Sequence, residues 1–103
     1  MVQVLIMCAG GMSSSLVAKK VTEHFAAAGK DIHVEARGVS KAPIEAGNHA
    51  LYLISPQVRM YYQPFSELAN QLGRKIAQIP PQAYVPIPMG TEKLAQLIEE
   101  NLA

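Results

Sequence analysis

The chain's only cysteine, Cys8, is followed by Ala9, Gly10, Gly11, Met12, Ser13, Ser14 and Ser15. Glycine and serine fill a core poorly but line an anion cradle well. Gly10 and Gly11 permit a tight turn, and three hydroxyl residues then open a helix. Such a loop aims successive N–H groups and a helix N-terminus at one point, as phosphate-holding loops do. The same field stabilises a thiolate. The segment from Ala9 to Ser15 is therefore predicted to hold a phosphoryl group on sulfur. N–H donors would come from Gly10 through Ser15, and hydroxyls from Ser13, Ser14 or Ser15. This requires a sulfur open to solvent and faced by the loop amides. The plainer alternative is a small core residue ending a strand, and the glycines and serines after it argue against that.

Repeated strand and helix signals must position this loop. Val2–Met7 is apolar except for Gln3, the pattern of a strand buried on both faces. From Ser13, apolar residues Leu16, Val17, Val21, Phe25 and Ala28 keep helical spacing. Lys19, Lys20, Thr22 and Glu23 fall on the other side, and Gly29 closes the helix. Asp31–Arg37 alternates as a half-exposed strand near an edge. Ser40–Ala46 reads as a short helix or turn, with Ser40 a possible cap and Pro43 in its first turn.

Ala50–Ile54 is a second fully apolar strand, stopped by Ser55-Pro56. A short turn from Gln57, a break, and a helix from about Pro64 to Gly73 should follow. Lys75–Ile79 supplies a fourth strand. Pro80, Pro81, Pro86 and Pro88 make residues 80–90 an extended, stiff loop, and Thr91 caps a last helix carrying Leu94, Leu97, Ile98 and Leu102. Four strand–helix alternations imply an α/β fold. The expected architecture is a single open, four-stranded parallel sheet with helices on both faces, order 2-1-3-4, flavodoxin-like or small-cysteine-phosphatase-like in topology. In such sheets the ligand site lies beyond the carboxyl ends of the strands, at the switch in strand order. Cys8 ends the central first strand, so fold and motif point to one spot.

Composition narrows the classes. With 103 residues, residues 1–103 are read as a single domain with one core. Nine Lys and Arg are nearly balanced by eight acids, which argues against nucleic acid as a partner. No apolar run approaches the roughly 18–20 residues that cross a bilayer. Met1–Cys8 lacks a positive leader, and bulky Met7 stands where a signal cleavage site needs a small residue. It reads as a mature strand of a cytoplasmic protein. One cysteine allows no internal disulfide. His24, His33 and His49 have no ligand spacing, so neither a metal nor an organic cofactor is expected.

The run Cys8-Ala9-Gly10-Gly11-Met12-Ser13-Ser14-Ser15 closely resembles the active-site loop of enzyme IIB of the lactose/cellobiose type. That family belongs to the bacterial phosphoenolpyruvate-dependent sugar phosphotransferase system. Its loop reads Cys, Ser or Ala, any residue, Gly, Met, Ser, Ser or Thr, Ser. The likeness extends over the whole chain, through Pro56-Gln57-Val58 with Tyr61, Pro64 and Tyr84. One segment departs: members often follow that tyrosine with Gly and then Asp-Gly, whereas this chain has Val85-Pro86-Ile87-Pro88-Met89-Gly90 and no acid.

The resemblance implies that Cys8 accepts a phosphoryl group from a phosphohistidine of enzyme IIA. It then passes the group to a sugar of the cellobiose or lactose class, held by the membrane permease, enzyme IIC. Met12, Pro56, Gln57 and Tyr84 would form the rim that partners touch. Met12 and Tyr84 are open to a second reading as packing residues.

Two rivals differ in kind. A small cysteine phosphatase has an Arg six residues after its Cys, to clamp phosphate oxygens. Ser14 stands there. Its general acid is usually an Asp, and the only one, Asp31, falls at the start of the second strand, the wrong end of the sheet. Arg59 reads as a solvated charge. A non-catalytic regulatory binding domain would be marked by loss of Cys8 or the glycines, and all are present. The sequence reading is a phosphocarrier.

Overall fold

A computed structural model describes residues 1–10 and 12–103, together with all their side chains except those of Met12 and Ser13. The expected alternation is present: β1 (Val2–Cys8), α1 (Met12–Ala27), β2 (Ile32–Gly38), α2 (Ala42–Ala46), β3 (Leu51–Ile54), α3 (Tyr62–Leu72), β4 (Ile76–Gln78) and α4 (Pro88–Leu102). Short 3-10 turns at Pro56–Tyr61 and Pro81–Ala83 lead into α3 and α4. All four strands are parallel in the order β2-β1-β3-β4.

β1 is hydrogen-bonded on both edges, to β2 from Val2 to Cys8 and to β3 from Val4 to Met7. Its side chains alternate between two cores. Val4 and Ile6, with Leu51 and Leu53 of β3, pack against Val17, Val21 and Phe25 of α1 and Leu94 and Ile98 of α4. Leu5 and Met7, with Tyr52 and Ile54, pack against Ile44 of α2 and Phe65 and Ala69 of α3. Residues 4–7 are wholly buried, and each such apolar side chain contributes about 1.5–3 kcal/mol. This explains the unbroken apolar run: a strand covered on both faces cannot alternate.

Several boundaries differ from the sequence reading. α3 starts at Tyr62, so Pro64 lies in the first turn, where its missing N–H is not needed. The break falls earlier, at Val58, whose φ of -122° and ψ of 29° are not helical. The last helix begins at Pro88, not after a Thr91 cap, because proline suits the first helical position. Thr91 donates its N–H to Ile87 at 2.9 Å, within that first turn. Residues 80–90 are thus not one extended loop. Ala50 lies outside β3, and Lys75 and Ile79 outside β4.

Thr22, expected on the solvent side of α1, turns inward. Its Oγ1 accepts from Val34 N at 2.9 Å and donates to Val34 O at 3.1 Å. The open edge of β2 is thereby tied to α1, which satisfies backbone groups that would otherwise be left to water or to another strand. α2 begins only at Ala42 with Lys41 as its N-cap, so Ser40 is not the cap, although its hydroxyl accepts from Ala42 N at 3.2 Å. Among the described residues no helix is long and apolar enough to cross a membrane.

The bend before α4 positions Tyr84. Gly90, buried in the first turn of α4, lies against Val85, and a Cβ there would stand 2.5 Å from Val85 O and closer still to its side chain. Gly90→Ala should therefore destabilise the protein by about 1–3 kcal/mol. Chemical denaturation reads this directly, and an unchanged midpoint would show that the bend has slack.

Candidate active site

Cys8 continues the alternation of β1. Val4 and Ile6 face the α1/α4 core, so Cys8, two residues further, points to the same face. In β3, Leu51 pairs with Val4 and Leu53 with Ile6. One step on, Ser55 falls beside Cys8 and also faces α1 and α4. Ser55 N donates to Met7 O at 3.0 Å, which keeps the chains side by side past the end of β3. Ser14, in the first turn of α1, is buried at 1% exposure, and Ser55 at 0%.

Tyr84 reaches this group from the segment before α4. Its phenol and the Ser14 hydroxyl are hydrogen-bonded to each other, joining residues 70 positions apart. Burial raises the pKa of the Tyr84 phenol above its ordinary value. The hydrogen bond from Ser14 opposes that rise, the neighbouring charge of a Cys8 thiolate adds to it, and Ser55 nearby again opposes it. Ser55 Oγ lies close enough to affect the phenol, but it makes no hydrogen bond of ordinary geometry among the described residues. Cys8, Ser14, Ser55 and Tyr84 therefore form one cluster at the carboxyl end of the sheet.

The sulfur is not open to solvent, as the sequence reading required. Cys8 is only 2% exposed, and its Sγ donates to the carbonyl of Arg37 on β2 at 3.3 Å. That bond exists because the Cys8–Gly38 register brings the end of β2 alongside. Gly10 turns the chain after the strand with a φ of 87°, a conformation costly for any residue with a Cβ. Gly11 and the side chains of Met12 and Ser13, all assigned to the cradle, lie outside the described residues. Ala9 and Ser15 are exposed.

Residues 3–100 match the family model for the lactose/cellobiose-specific IIB subunit of the phosphotransferase system. The chain belongs to that family. It is thus a IIB component of a sugar phosphotransfer system and works with other components of that system. No curated protein matches it by sequence. Two solved IIB structures share its fold. The lactose-specific IIB domain of Streptococcus pneumoniae has a TM-score of 0.84 at 24% identity, covering 99% of this chain and 98% of its own. The cellobiose-specific IIB protein of Borrelia burgdorferi has a TM-score of 0.75 at 22% identity, covering 98% and 91%.

Within this IIB fold the expected rim residues separate. Pro56 and Gln57 open the turn after β3, next in sequence to Ser55, with Gln57 exposed. Tyr84 is half-buried and its phenol turns inward to Ser14, so its polar end belongs to the cluster. Arg59 is exposed, and Asp31 sits at the amino end of the sheet beside the chain's amino group. Ser55 went unrecognised in the sequence because it reads as a strand stop before proline. Counting two residues on from Leu53 would have found its face.

A cavity of about 490 Å³ lies apart from Cys8, between β2 and α2. Its charged groups are matched internally: Glu35 accepts from Arg37 at 2.9 Å and from His49 at 3.1 Å. Among the described residues no three His, Cys, Asp or Glu side chains gather as metal ligands.

Tyr84→Phe should leave buried Ser14 without its partner and cost about 1–3 kcal/mol near neutral pH. Because burial raises the phenol's pKa, the unfolded chain loses that proton first as pH climbs past about 10. Wild-type stability then falls with pH, since the folded state binds more protons. The wild-type advantage over the variant should hold below about pH 10 and shrink above it, as pH-dependent denaturation will read. A constant difference across that range would contradict the placement of the phenol.

Proposed function

We propose that Cys8 is the phosphoryl acceptor of this IIB component and that residues 1–103 act as a single cytoplasmic phosphocarrier domain. The donor is a phosphohistidine of enzyme IIA. The Cys8 sulfur attacks phosphorus, an S–P bond forms as the P–N bond breaks, and the imidazole nitrogen keeps the electron pair and ends with the thiol's proton. In the second transfer a hydroxyl oxygen of a sugar held by the permease, enzyme IIC, attacks phosphorus. The S–P bond breaks, Cys8 leaves as thiolate, and the hydroxyl's proton is released. The sugar is of the cellobiose or lactose class.

The observation that carries this reading is the convergence of a lone thiol, two serine hydroxyls and a tyrosine hydroxyl at the carboxyl end of the sheet. Phosphoryl transfer needs mainly positioning and charge stabilisation, which such donors and the amides of Ala9 through Ser15 would supply. The covered sulfur adds a requirement. Phosphoryl acceptance demands that the Cys8 sulfur turn from the Arg37 carbonyl and become accessible to its donor. Exclusion of water afterwards favours a carrier over a phosphatase, as does Ser14 at the clamp position. Met12, Pro56 and Gln57 form the proposed partner rim, with exposed Val85, Ile87 and Met89 extending it past Tyr84.

Incubation with phosphorylated enzyme IIA should add about 80 Da to the protein, located on Cys8 by peptide mass spectrometry. Cys8→Ser should fold normally and take up none. Rapid release of free phosphate would support a phosphatase instead, and an unchanged mass a binding module.

A further inference from the structure

We infer that the Ser55 hydroxyl binds the phosphoryl group carried on Cys8. The inference rests on the phosphocysteine reading and adds a ligand from β3 to a site otherwise assigned to the loop after β1. Register and alternation put Ser55 beside Cys8 on the α1/α4 face. The residue is wholly buried, and its Oγ has no hydrogen-bond partner among the described residues.

That is unusual, because buried hydroxyls are nearly always paired. Its neighbours are engaged elsewhere: the Ser14 and Tyr84 hydroxyls are hydrogen-bonded to each other, and the Cys8 thiol donates to Arg37 O. Ser55 is thus the one hydroxyl of the cluster without a hydrogen bond of ordinary geometry among the described residues. A serine hydroxyl rotates freely about its Cβ–Oγ bond and can donate one hydrogen bond to an anionic oxygen. A phosphoryl group on Sγ brings three such oxygens into the space these side chains enclose. The charged acceptor makes the new bond stronger than a neutral one. A buried water is the competing partner, and it would leave the phosphorylated state indifferent to Ser55.

The test compares wild type with Ser55→Ala, each equilibrated with phosphorylated enzyme IIA and weighed intact. The ratio of phosphorylated to free protein should fall about tenfold or more in the variant, the size expected for one hydrogen bond to a charged group. The unphosphorylated variant should have a Tm no lower than wild type, because among the described residues no hydrogen bond of ordinary geometry is lost. An equal ratio in the two proteins would overturn the inference while leaving the phosphocarrier reading intact. A lower Tm, or failure to fold, would mark the hydroxyl as structural and overturn it as well. If the wild type takes up no phosphate, the phosphocysteine reading fails first and the role of Ser55 with it.

Discussion

Double-sided pairing of β1 is the constraint on which the other features depend. Hydrogen bonds along both edges and apolar cover on both faces leave residues 4–7 no freedom to slide or turn. A slip of one residue would move Val4 and Ile6 into the α2/α3 core and Leu5 and Met7 into the other. It would also carry Cys8 to the wrong face, away from Ser14 and Tyr84. The position of one sulfur is therefore set by the packing of four residues before it. The placement of the site at the strand ends follows from the same topology, since β1 lies where the strand order reverses direction.

Burial of that sulfur changes how the site must work. The Cys8 thiol donates to the carbonyl of Arg37 at 3.3 Å, and a sulfur in that bond is not free to attack. In the proposed transfer, attack by the sulfur would require that bond to break. The Ser14–Tyr84 hydrogen bond ties the start of α1 to the segment before α4 in the neighbourhood of the thiol. Both ties are single hydrogen bonds, each worth about 0.5–1.5 kcal/mol net. The rigid part of the molecule fixes where Cys8 is, and single hydrogen bonds hold the groups beside it. That division suits a carrier that must meet a protein donor, shield its cargo from water, and then meet a second partner.

Much of this was legible in the residues. The Cys-Gly-Ser run marked the site, and unbroken apolar runs marked β1 and β3 as central strands. Strand–helix alternation then fixed a parallel sheet with its site at the carboxyl ends. Local signals misled where one residue serves two contexts. Proline reads as a breaker, yet Pro64 and Pro88 lie in first helical turns, where no N–H is required. Thr22 and Tyr84 look like surface or rim residues by spacing. Their hydroxyls instead find partners 12 and 70 residues away, and no local pattern announces such partners. The Cys8–Arg37 hydrogen bond depends likewise on the register of β2, which composition does not encode.

Phosphorus NMR of the protein charged by phosphorylated enzyme IIA tests the central assignment most directly. A resonance from a sulfur-bound phosphoryl group, absent in Cys8→Ser, is the expected result. Phosphorus on a nitrogen of His24, His33 or His49, or a spectrum holding only inorganic phosphate, would contradict it.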